Sequence, residues 1–219
     1  MADIRRTGQL DDFSWSVFPY ENPISHGGAW ANVDTFWTGL QGASTYVRAN
    51  NFSWSYWTAG PFDGDVEVWA YGVGGGLGAA GEGWRLGLFQ SVGGSNSADG
   101  YQLAWFGNPF GGYFMRRYDN TSPTNIGTGT GENTNPSTYI LLFRRTAATS
   151  LLEGYISFDN GANWTLVWSA TDGTYTGPFY LAIAAEDPSD GGVGWTGFGG
   201  GTARQFVPQI YRIIKGFDQ

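Results

Sequence analysis

Residues 157–164 read SFDNGANW; LLEGYISF (151–158) runs into this stretch and WTLVWSA (164–170) runs out of it. Two runs alternating apolar and polar residues, joined by Asp, Asn and Gly, read as a β-hairpin. Each residue of the connection has a structural task. Asp159 can accept hydrogen bonds from turn amides, Gly161 can take a positive φ, and Trp164 can fold back over the turn.

Outward from this hairpin the same alternation recurs along the chain, in GDVEVWAYG (64–72), GWRLGLFQ (83–90), GYQLAWFG (100–107), GYFMRRY (112–118), TYILLFRR (138–145) and GPFYLAIAA (177–185). No segment holds a helical period. About a dozen short strands separated by Gly, Asn, Asp and Pro clusters predict an all-β fold, two antiparallel sheets packed face to face as a β-sandwich of the jelly-roll kind. The Gly-rich stretches 72–83 and 194–204 are expected to be long loops or bulged connections, and the polar stretch 120–137 an exposed loop.

Composition bounds the function. Glycine makes up 36 of the 219 residues and aromatics 17%, enough apolar surface to offset the entropy of ordering one domain. The net charge of −8 repels a phosphate backbone, and the basic doublets are few (Arg5-Arg6, Arg116-Arg117, Arg144-Arg145), so no nucleic acid is expected as a partner. With no cysteine there is no disulfide, thiolate metal site or thiol nucleophile. No apolar run approaches a membrane span, so no membrane insertion is expected. The opening MADIRRTGQLDDF carries no apolar core of secretory type, so the expectation is no signal peptide and synthesis in a cytoplasm.

SFDNGANW fits S-x-D-x-G-x-x-W, the Asp-box of sialidases; those propellers repeat it once per blade, whereas this chain has it once, which marks a hairpin rather than a catalytic site. The wider order from Tyr139 to Ala185 resembles the back half of concanavalin A-like lectin/glucanase (LamG-like) jelly rolls. Asp11-Asp12-Phe13, Gly64-Asp65-Val66-Glu67-Val68, Gly100-Tyr101-Gln102-Leu103 and Arg116-Arg117-Tyr118 follow the family's front half more loosely. The resemblance covers most of residues 11–206, leaving an N-terminal arm (1–10) and a C-terminal strand or docking tail (207–219).

Modules of this kind occur in structural proteins of bacteriophages. The resemblance therefore implies a non-catalytic virion decoration protein, made in a host cytoplasm, partnered by other virion proteins or by itself, with weak adhesion to cell-surface glycans. A free-standing carbohydrate-binding module is the alternative. A third reading is an atypical retaining β-glucanase, because DGDVEV resembles the E-x-D-x-E strand of glucanases. Carried over, Asp63 would be nucleophile, Asp65 its helper and Glu67 the general acid. The departure is physical: retaining chemistry needs carboxyl groups roughly 5–5.5 Å apart, and i and i+4 in a strand lie about 13 Å apart.

Aromatic faces stack on sugar rings while polar groups hold the hydroxyls. Trp54 and Tyr56 share one face of their strand and Trp57 the other, so one of them is expected to look outward; Trp195 and Trp30, in stretches read as loops, complete the expected glycan-binding set. Glu186, Asp187 and Asp190 either collect oxygen ligands for calcium, the one cofactor the sequence suggests, or form an acidic turn held by Asx bonds.

Overall fold

The computed structural model describes residues 9–11, 30–31, 37–41, 44–48, 54–74, 83–92, 99–106, 112–120, 122–129, 138–186 and 194–203. They form strands and connections, with no helix among the described residues. In chain order the strands are β1 (Gln9–Asp11), β2 (Trp30–Ala31), β3 (Trp37–Gln41), β4 (Ser44–Arg48), β5 (Ser55–Trp57), β6 (Val66–Val73), β7 (Gly83–Phe89) and β8 (Gly100–Phe106). They continue with β9 (Gly112–Asp119), β10 (Ser122–Asn125), β11 (Thr128–Gly129), β12 (Thr138–Thr146), β13 (Leu151–Ser157), β14 (Thr165–Thr171), β15 (Tyr180–Glu186) and β16 (Gly194–Thr202).

One sheet runs β11-β14-β13-β12-β6-β16-β4-β3, with β1 on β16; the other runs β10-β9-β8-β7-β15-β5-β2. Every pairing is antiparallel. This is the expected all-β jelly-roll sandwich. Alternation along each strand sends one set of side chains between the sheets. Val66, Val68 and Ala70 of β6 and Leu141 and Phe143 of β12 meet Leu86 and Leu88 of β7, Leu103 of β8 and Leu181 and Ile183 of β15 in one core. Aromatic rings fill its widest part. Trp84 stacks on Trp105 at 5.0 Å between centroids, and Trp105 on Tyr113 at 5.2 Å.

Two expectations about loops change. Residues 194–202 are not a loop but β16, lying between β6 and β4 in the larger sheet. Glycine is there because the neighbours leave no room for a side chain: a Cβ on Gly200 would stand 2.5 Å from Leu181 Cδ1 and 2.6 Å from the Glu67 carbonyl oxygen. In the polar stretch, β10 continues β9 as a hairpin and β11 pairs with β14; both are exposed, as expected. In the stretch 72–83, Gly72 and Val73 end β6 and Gly83 opens β7, while 75–82 lie outside the described residues. So does the tail 207–219, and the arm boundary at residue 10 falls within β1, which pairs with β16.

Candidate functional site

The 157–164 turn is built as its sequence requires. The Ser157 hydroxyl donates to Asp159 Oδ1 (2.8 Å) and accepts the Gly161 amide (2.8 Å), while Asp159 also accepts the Asn163 backbone amide (2.8 Å) and side-chain amide (2.6 Å). Asn160 and Gly161 take φ of 60° and 88°. The bonds from Asn163, and then Ser157, hold the Asp159 carboxyl at about 2. Trp164 packs against Trp69, Ile140 and Leu142 on the outer face of the larger sheet. The motif turns a corner between β13 and β14.

The acidic strand is likewise engaged in holding the fold. Asp63 lies exposed in the turn before β6, its Oδ1 accepting the Gly64 amide (2.8 Å). Asp65 accepts the Ala147 amide (2.7 Å). Glu67 is fully buried and pairs with Arg144 of β12, its register partner. The glucanase geometry is therefore not assembled: Asp63 is outside the strand, and the Glu67 carboxylate is taken up by Arg144.

At one end of the sandwich a polar network closes the gap between the sheets. The Tyr101 hydroxyl accepts the Tyr175 amide (2.8 Å) and donates toward Asp172, whose carbonyl lies at 3.0 Å and Oδ1 at 3.1 Å. Burial pushes that hydroxyl up to about 12, so it stays a donor. Arg117 bridges Asp172 (2.9 Å) and Asp119 (3.0 Å), and Tyr175 donates to Asp119. The bond from Tyr175 is the first cause of the lowered Asp119 carboxyl. This network pins residues 172–175 over the core.

The aromatic side chains expected to face a ligand do not, where they are described. Trp54, Tyr56, Trp57 and Trp195 are all buried. Trp57 and Trp195 belong to the core between the sheets, where the Trp195 indole donates to the Ala184 carbonyl (3.1 Å). Trp54 and Tyr56 lie on the opposite, outer face of the smaller sheet, in a second cluster with Phe89, Tyr118, Ala182 and Ala184. Both faces of that sheet are covered here, so strand parity chose between two buried environments. Trp30 is placed in β2 opposite Trp57, but its side chain lies outside the described residues, as do the side chain of Glu186 and all of Asp187 and Asp190. Among the described residues no group of three potential metal ligands comes together.

The outer face of the smaller sheet carries what the sequence did not single out. Gln102 of β8 points there, between its register partners Gly87 of β7 and Arg116 of β9. It is 0% exposed, and neither its amide oxygen nor its amide nitrogen has a partner. The Tyr56 hydroxyl, on the same face, also has none. Burial, with Tyr118 second, pushes its ionisation up and keeps it neutral. Trp105 Nε1 and the Tyr139 hydroxyl are unpartnered too, but they sit in the inner core with their rings in contact at 4.9 Å.

On one side of Gln102, Trp54, Tyr56 and Tyr118 all make edge contacts with Phe89. On the other side run further ring contacts. The Arg116 guanidinium lies 4.2 Å over Phe114, Phe114 stacks on Phe106 at 4.9 Å and 9°, and Arg85 lies 4.5 Å over Phe106. Arg116 and Phe114 are partly exposed. On this second side a partly exposed ring and guanidinium stand next to an amide that the protein does not use, and aromatic surface beside hydrogen-bonding groups is the combination a sugar needs.

No family profile and no curated protein matches this chain. Solved structures do. The VIP36 exoplasmic/lumenal domain in its Ca2+/Man3GlcNAc-bound form aligns at 14% identity and TM-score 0.57, over 82% of this chain and 86% of that one. The Emp46p carbohydrate recognition domain, potassium-bound, aligns at 9% and 0.58, over 80% and 89%. A legume lectin-like domain from Entamoeba histolytica aligns at 11% and 0.50, over 77% and 90%. The chain has the two-sheet sandwich fold of these lectin domains.

Proposed function

We propose that this chain is a non-catalytic carbohydrate-binding module whose ligand engages the partly exposed Phe114 and Arg116 on the outer face of the smaller sheet. The observation carrying the proposal is the Gln102 amide, buried with both ends unpartnered, directly across from the partly exposed Arg116 and the Phe114 ring beneath it. Such an amide costs about 1–3 kcal/mol relative to a satisfied one, a cost that ligand hydroxyls can offset because an amide donates and accepts at once. The lectin and carbohydrate-recognition domains that share the fold support the reading.

The test is a glycan array with the full chain, followed by calorimetry on the best ligand. Gln102→Leu keeps the volume and removes both polar atoms. It should lose at least about tenfold in affinity while its thermal midpoint holds or rises. No array ligand, or a Gln102→Leu protein that binds as the wild type does, would overturn the assignment.

Calcium at Glu186, Asp187 and Asp190 belongs to the same proposal, supported by the Ca2+-bound form of VIP36. Added calcium should raise the thermal midpoint and a chelator reverse it; no response from the full chain would refute it. The virion setting enters through the sequence resemblance alone. Mass spectrometry of intact particles tests it.

A further inference from the structure

Resting on that reading, we infer that the ligand is an acidic glycan, whose sugar carboxylate is received by Arg116. The guanidinium is fixed twice. It lies over the Phe114 ring at 4.2 Å, and its Nε donates to Asn125 Oδ1 of β10 at 3.0 Å. Phe114 is itself held by its stack on Phe106.

With Nε occupied, the end-on edge of the guanidinium remains. Among the described residues neither terminal nitrogen of Arg116 has an acceptor, and the side chain is partly exposed. Two parallel N–H donors in a preorganised plane fit a carboxylate bidentately. Arg116 is also the direct cross-strand neighbour of Gln102, so a carboxylate on the arginine brings the sugar ring toward that amide.

A neutral sugar gains only ordinary hydrogen bonds from that fork, whereas an anionic one gains a charge-assisted pair at a half-buried site.

The experiment measures dissociation constants for galacturonate and glucuronate oligosaccharides against their carboxyl-reduced, neutral counterparts, at 50 and 300 mM salt. The proteins are the wild type, Arg116→Gln, Arg116→Lys and Gln102→Leu, each checked for fold by circular dichroism. The wild type should prefer one acidic series by about tenfold or more at low salt, with the preference shrinking at high salt. Arg116→Gln should lose the preference, and Arg116→Lys, which keeps the charge but not the fork, should retain part of it.

Equal binding of acidic and neutral sugars, or a preference that survives in Arg116→Gln, overturns the inference. Neutral binding that disappears in Gln102→Leu leaves the module standing and removes only its acidic specificity. Binding to neither series on any array overturns both.

Discussion

Glu67, fully buried on β6, meets Arg144 directly across on β12, with Arg144 Nε 2.9 Å from Glu67 Oε2. The pair ties the two central strands of the larger sheet together on its outer face. Removing one member strands the other. Glu67→Ala should cost about 3 kcal/mol, at the low end for a buried pair because Arg144 retains some solvent. That corresponds to a fall of roughly 6–12 °C in thermal midpoint for a domain of this size. Sugar release from a β-glucan that vanished in a still-folded Glu67→Gln protein would reinstate the glucanase reading.

Asp159 gives the hairpin a pH signature. Its carboxyl is lowered from 3.8 to about 2, first by the Asn163 bonds and then by Ser157. A depressed carboxyl contributes stability that is present above the unfolded value and lost as pH falls through the folded one. The Asn163 amide resonance, whose N–H donates to this carboxylate, should therefore hold its shift down to about pH 4 and move with a midpoint near 2. A midpoint near 4 would mean that the turn does not hold the carboxylate.

β16 depends on glycine where its neighbours press closest. Gly200→Ala places a methyl 2.6 Å from the Glu67 carbonyl oxygen, a backbone atom that cannot step aside, and should cost about 1–3 kcal/mol or more in urea denaturation. Gly173→Ala is the control. Its nearest neighbour is Ser150 Oγ at 3.3 Å, and the change should stay within about 0.5 kcal/mol.

Tyr101 anchors the end network. Tyr101→Phe removes the acceptor of the Tyr175 amide and the donor to Asp172, and should cost about 1–2 kcal/mol. The Tyr175 amide should exchange with solvent faster than in the wild type, while core amides of β7 and β8 slow or speed only with global stability.

Local pattern made the sandwich legible. Alternation located β6 to β9 and β12 to β15 because their inner residues are large and apolar, and the 157–164 turn announced itself through Asp159 and Gly161. β16 was illegible for the opposite reason: five of its nine residues are glycine, chosen for closeness to neighbours rather than for strand propensity. The tryptophans misled because abundance does not distinguish a wide aromatic core from an exposed platform. Gln102 and Arg116 were visible only as parts of a family-like order. Their signals were a lone amide in GYQLAWF and two adjacent arginines in GYFMRRY, which alternation sends to opposite faces, Arg117 to the end network and Arg116 outward. The virion role rests on the sequence resemblance alone, and the lectin domains bear on the fold.

The most direct test of the proposed site is backbone amide chemical-shift mapping during titration with the best array ligand. The account predicts the largest shifts at Gln102, Phe114 and Arg116, with small changes across the β13–β14 hairpin. Shifts centred on that hairpin or on the outer face of the larger sheet, with β8 and β9 silent, would contradict it.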